Sequence, residues 1–251
     1  MSFATSNQAT QNVSPAMALG VQDLYSESST QLLPLGTYVR LADGRGYAYA
    51  LAGAAALVCG TVVGTEAPSA NATDEILAVS GAIGDTHIHV TFGGAVTANQ
   101  YQGGFIYVND DTGQGQLFTV KSHAAGTTSV QVELFEKIRV AITAAASTIS
   151  CIKHPLNSVV IQPAATTTSC PVGVAIMNTT AAYYGWIQVK GPCPVLSANS
   201  TFVIGNQVAT GTTAGAVDLI VDACVLPIIG TVLQVQTGTE NVLINLNIPG
   251  Y

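Results

Sequence analysis

The chain has 251 residues, enough for one large β domain or two small ones, each with its own core. Hydrophobic residues make up 48% of it and charged residues only 8%, against a usual share of roughly 25%. Seven Lys plus Arg against 14 Asp plus Glu give a formal charge of −7, which leaves no basic patch for phosphates and argues against direct nucleic-acid binding.

The scarcity of charge has a physical reading. Desolvation depletes charge at interface cores as it does inside proteins, so faces covered by partners are expected. No Asp, Glu, Lys or Arg lies between Lys153 and Lys190, or between Lys190 and Asp218.

Residues 1–36 are rich in Ser, Thr, Gln and Asn, carry Pro15 and Pro34, and show no sustained period. They are expected to form an extended N-terminal arm, with Ala16–Leu19 and Asp23–Tyr25 as local anchors and at most a short helix within Gln11–Tyr25. The first residues lack a basic region followed by an apolar one, so no secretory signal is read there.

From Thr37 the pattern turns to strands. Thr37–Ala42 and Gly46–Leu51 flank Asp43-Gly44-Arg45, a hairpin signal. Val58–Val63 follows, and His87–Phe92 alternates polar and apolar. Phe105–Val108 and Gln116–Lys121 flank a second turn at Asp110–Gly115. Ser129–Leu134 and Lys137–Thr143 complete the first half. The second half offers Ser158–Gln162, Val172–Met177, Tyr184–Lys190, Ala216–Val225, Ile228–Gln236 and Asn241–Ile248. In the last of these, Val242, Ile244, Leu246 and Ile248 alternate with Asn241, Leu243, Asn245 and Asn247, a clear period of two.

Many short strands with Gly-rich turns predict an all-β fold of one or two small barrel or sandwich modules behind the arm. The expected division is an arm over 1–36, a first β module over 37–146 and a second over 147–251. An echo between Gly46–Val63 and Tyr184–Val208, each an aromatic strand followed by Gly-x-x-Val, points to duplication of one module. Gly46–Thr65 is uncharged and of membrane-spanning length, but its glycines and its alternation favour strands, so no membrane is expected.

Candidate chemistry is thin. Asp111-Thr112-Gly113 matches the aspartic-protease triplet, yet Asn109-Asp110 and Gln114 replace its apolar and small neighbours, so a turn is the better reading. His87 and His89 share one strand face, with Asp85 nearby and His123 as a distant third, and form a weak metal candidate. Cys151 and His154 lack a recognisable orienting group for thiol activation. Five cysteines without a CxxC read as buried free thiols rather than a metal knuckle. No nucleophile elbow, phosphate loop or dinucleotide fingerprint occurs, and neither an enzyme nor a cofactor is expected. Tyr183, Tyr184 and Trp186 offer a stacking surface for a sugar, against a plainer reading as core or interface.

Several stretches carry a likeness to a known family. They are Leu41–Ala50 with Ala52–Leu57, Gly113–His123, Pro171–Ala175 and Tyr184–Pro192. In them the chain resembles the head-decoration, or capsid cement, proteins of tailed bacteriophages, in particular virion structural proteins of marine and related phages. The resemblance implies a β-rich protomer, often a trimer, on the outside of a capsid assembled in the host cytoplasm, with the major capsid protein and copies of itself as partners. The contact residues expected are Phe3, Val13, Leu19 and Tyr25 in the arm and Tyr184 and Trp186 in the body. A head-fibre or tail module that binds a glycan or receptor is the alternative.

Overall fold

The computed structural model describes residues 15–144, 146–164, 168–198, 201–220, 226–236 and 240–248, with side chains from residue 18 onward. The chain divides into two compact units, each with its own core. One is Pro68–Pro155; the other joins Asn12–Ala67 to Leu156–Tyr251. The first unit is thus inserted in sequence within the second. The expected contiguous halves, with a boundary at 146/147, differ from this division because Thr148–Ile152 is a strand of the inserted unit.

The inserted unit is a closed antiparallel barrel of six strands: β4 (Glu75–Val79), β5 (His87–Thr91), β6 (Phe105–Val108), β7 (Leu117–His123), β8 (Val130–Leu134) and β9 (Thr148–Ile152). Their order around the barrel is β4-β5-β8-β7-β6-β9, closing back on β4. Closure leaves no free edge. Alternation decides what fills it: Ile88 and Val90, Ile106 and Val108, Phe118 and Val120, and Ile149 and Cys151 all point inward. The Asp110–Gly115 turn joins β6 to β7 as expected, closed by Gly115 N–H donating to Val108 O at 3.0 Å. Lys137–Thr143 is not a strand. The Gln116 Oε1 takes its Arg139 and Val140 N–H groups at 2.9 and 3.0 Å, and Ile138 and Ile142 drop into the barrel core.

The second unit is one curled sheet of ten strands. They are β1 (Tyr38–Arg40), β2 (Gly46–Leu51), β3 (Val62–Gly64), β10 (Val160–Ile161), β11 (Pro171–Ala175), β12 (Tyr184–Leu196), β13 (Gln207–Thr210), β14 (Val217–Leu219), β15 (Ile228–Gln234) and β16 (Asn241–Asn247). The main path runs β10-β3-β11-β12-β16-β15-β13-β14, with β2 on β12 and β1 on β2. Curling brings residue 215 back to the opposite end. Gly215 N–H donates to Gln162 O at 2.8 Å, and its carbonyl accepts Val62 N–H at 2.7 Å. The inner face holds the main core, including Ala48, Val63, Ile187, Val189, Val195, Val208, Ile229 and Ile244.

The strand β12 runs on through Pro192 and Pro194, where sequence reading stops it at Lys190. The prolines are tolerated because this stretch is paired by β16 while the β2 ladder has already ended at Lys190. The echoing segments are not equivalents in two modules: β2 and β12 are hydrogen-bonded neighbours in one sheet, with Tyr49 opposite Trp186.

The short helix expected within Gln11–Tyr25 and the anchors in Ala16–Leu19 and Asp23–Tyr25 are present, but the described part of the expected arm is packed rather than extended. Residues 15–36 pack onto the outer face of the sheet at β1, β2 and β12. Helix α1 (Pro15–Val21) starts on a proline, which suits a first helical position. Ala18, Leu24 and Leu33 then bury against Val39, Tyr47, Tyr49 and Trp186. Ser28 and Tyr184 exchange both backbone hydrogen bonds, at 3.0 and 2.8 Å. The strand β2 is therefore buried on both faces, alanines inward and tyrosines under the segment, and reads as continuously apolar for that reason.

Candidate functional site

The expected contact residues fall in different places. Phe3 and Val13 lie outside the described residues. Tyr25 is exposed, at 60% of its full area. Leu19 is half-buried against the segment's core. Tyr184 is half-buried and stacks on Tyr49, ring centroids 6.0 Å apart. Trp186 is a correction: only 1% exposed, it meets Tyr49 edge-on at 5.3 Å and donates its Nε1–H to Gln22 O at 3.1 Å. Its surroundings are core, so it offers no face to a sugar or a partner.

Gln22 organises this cluster. Its Oε1 accepts the Tyr49 hydroxyl at 2.7 Å, and its Nε2 donates to Ser26 O and Tyr184 O at 2.9 and 3.1 Å. Burial pushes the Tyr49 phenol up to about 12, so it stays a neutral donor. The spacing Gln22…Tyr49…Trp186 carries no sequence signal, because these contacts are long-range.

The remaining candidates resolve individually. His87 and His89 stand half-buried on the outer face of β5, rings edge to face at 5.3 Å. His87 lies opposite Glu133 and His89 opposite Gln131. His123 is instead buried inside the barrel, accepting Tyr101 N–H at 3.1 Å, and Asp85 is spent on Ala82 N–H at 2.8 Å. Among the described residues no three His, Cys, Asp or Glu side chains converge as a metal site. Asp111 sits at φ 57° and its Oδ1 accepts Thr112 N–H and Oγ1–H at 2.6 and 2.9 Å, so the triplet is a turn.

Cys151 is buried in the barrel core, where desolvation pushes its thiol far up, away from thiolate. His154, stacked on Phe105 at 6.4 Å, is pulled by burial down to about 4. A suppressed thiolate and a weakened base do not make a nucleophile pair. Cys193 is also buried, but Cys59 and Cys170 are exposed, contrary to the expectation of buried thiols; Cys224 lies outside the described residues. Among the described residues no helix is long and apolar enough to cross a membrane.

The exposed apolar side chains are the feature that chemistry does not absorb. On the barrel, β4 turns Ile76 and Val79 outward, each 52% exposed, and the turn after it presents Ile83 at 70%. Tyr107 and Leu117, directly opposite across β6 and β7, are exposed as well. In the second unit the turn before β13 presents Val203 and Ile204, at 56% and 65%. It hooks onto β15 through Gly205 N–H to Val232 O at 2.9 Å, close to exposed Leu233. No family model, curated protein or solved structure matches the chain.

Proposed function

We propose that the chain is a virion structural protein, a decoration or cement protein that binds the assembled phage head from outside and stabilises it by bridging major capsid subunits. It acts as a homo-oligomer, a trimer by the resemblance of its strands, and carries out no chemistry.

The observation that supports this most is the pairing of scarce charge with exposed apolar side chains. Residues 156–251 contain Lys190, Asp218, Asp222 and Glu240 as their only Lys, Arg, Asp and Glu. In the same stretch Val203, Ile204, Ile228 and Leu233 stand out from the surface, and on the barrel so do Ile76, Val79 and Ile83. A surface this lean in charge and this rich in apolar area suits contact with neighbours. Cement works by linkage: a protein that binds the assembled lattice and not its dissociated subunits stabilises the lattice by mass action. An oligomer that engages several subunits at once gains avidity without new contacts.

The alternative, a head-fibre or tail module binding a glycan through Trp186, loses its platform because that indole is core. The test places a charge at an exposed position. Ile76→Glu and Ile204→Glu are expected to leave Trp186 emission and the unfolding midpoint unchanged, and at least one is expected to weaken co-sedimentation with expanded heads. Undiminished binding by both variants contradicts the proposed surfaces.

A further inference from the structure

His87 and His89 are two residues apart on β5, and strand alternation sets both on the outer face of the barrel. The strand beneath them is held firmly, because Ile88 and Val90 on its other face are buried in the barrel core. Same-face residues of a strand stand about 6.7 Å apart at the backbone. The two ring centres are only 5.3 Å apart, so the imidazoles lean together. Across from them stand Glu133 and Gln131 on β8, with Val79 of β4 beside His89. These neighbours bring a carboxylate and no cation. The His89 Nδ1 lies 3.5 Å from Ser129 Oγ, longer than an ordinary hydrogen bond, and His87 makes no side-chain hydrogen bond among the described residues.

We infer that His87 and His89 together chelate a divalent first-row transition-metal ion. A metal–nitrogen bond of about 2.0–2.1 Å sets an imidazole centre roughly 3.2 Å from the ion, and two such rings at a tetrahedral angle have centres about 5.2 Å apart. The separation of 5.3 Å meets that requirement. The rings now stand at 87° to each other. Each turns about a Cβ–Cγ bond whose axis runs through the ring centre, so a nitrogen of each can be aimed at one point without changing the spacing, and that torsion is soft.

The donors select the ion. Imidazole nitrogen suits zinc, nickel and copper, whereas magnesium and calcium demand oxygen ligands. The Glu133 carboxylate opposite His87 attracts a cation and works against an anion. Two protein ligands leave the remaining positions to water, as befits a site where no third His, Cys, Asp or Glu converges among the described residues. Binding here is independent of docking to a capsid.

The test titrates the full chain with NiCl2 and ZnCl2, and with MgCl2 as the control, following the histidine ring resonances by NMR and heat by calorimetry. Nickel is expected to broaden the rings of His87 and His89 before those of buried His123 and His154, and magnesium to leave all four unchanged. His87→Gln and His89→Gln keep a polar side chain of similar size on the outer face. Each is expected to weaken binding at least about tenfold, because the second ligand of a chelate binds at high effective concentration. A Cys59→Ser, Cys170→Ser double variant, which removes the two exposed thiols, is expected to bind as the parent does. The amide spectrum of the barrel, unchanged away from β5 and its neighbours, verifies the fold of the histidine variants. The inference is overturned if neither ring responds to millimolar nickel or zinc, if either histidine variant binds as tightly as the parent, or if binding is lost with the thiols instead.

Discussion

Trp186 stands directly opposite Tyr49 across β12 and β2, and Gln22 holds both, its carbonyl on the indole N–H and its side-chain amide on the phenol. Three distant parts of the chain thus share one buried polar node under residues 18–35. Gln22→Ala keeps the backbone bond to Trp186 but leaves the Tyr49 O–H without its acceptor, the oxygen keeping only the Leu32 N–H at 3.3 Å, and removes two further bonds. The expected cost is about 1–3 kcal/mol. Urea unfolding followed by the emission of Trp186, the only tryptophan, measures it.

Deleting residues 1–36 strips the cover from Tyr47, Tyr49 and Trp186, which are all fully buried in the intact chain. The truncated protein is expected to show a red-shifted, more readily quenched emission and a lower unfolding midpoint. An emission spectrum identical to that of the full chain would mean that this segment is not what shields the indole.

Gly215 closes the curled sheet with a backbone that other residues rarely adopt, at φ +71°, and a Cβ there would meet Thr61 and Ile161 at 2.7 and 2.8 Å. Gly215→Ala combines strain with overpacking and is expected to cost about 2–4 kcal/mol. Gly205→Ala serves as the control, since its added methyl meets open space. Differential scanning calorimetry on the two variants separates crowding from backbone strain alone, because both glycines have positive φ.

His154 links the stability of the barrel to pH. Its imidazole is lowered from 6.5 to about 4 in the folded chain by burial. The unfolded chain therefore binds the extra proton first, and stability falls as pH drops from about 6.5 towards 4. Above that window the contribution is fully present. The loss is of the order of 2 kcal/mol, and His154→Phe is expected to flatten the pH dependence of unfolding over this interval.

Much of the fold was legible in local pattern. The strands β2 and β6 match their sequence spans, and the alternation of 241–248 places Val242, Ile244 and Leu246 in the core as expected. What escaped depended on partners far along the chain. The strand β9 hides in a Ser/Thr-rich stretch because its outward Ser150 is covered, accepting hydrogen bonds from Asp74 N–H and the Asn109 amide. The segment 15–36 looked unpacked because its few apolar residues, Ala18, Leu24 and Leu33, are spaced irregularly and bury against another element. The insertion of the barrel was invisible for the same reason, since nothing local marks Ala67 and Leu156 as parts of one unit. Among the site candidates the Asp111 turn was legible from its neighbours, whereas the burial of Trp186 needed the pairing of β12 with β2 and the cover of Gln22.

The central claim is that neighbours on a virion shell cover a surface too poor in charge to stand alone. The most direct measurement is the heat-disruption temperature of expanded phage heads that lack their decoration protein, with and without the purified chain added back. The account predicts that the chain co-sediments with the heads and raises that temperature in a saturable way. An unchanged temperature, with the chain left behind as a free monomer, would contradict it.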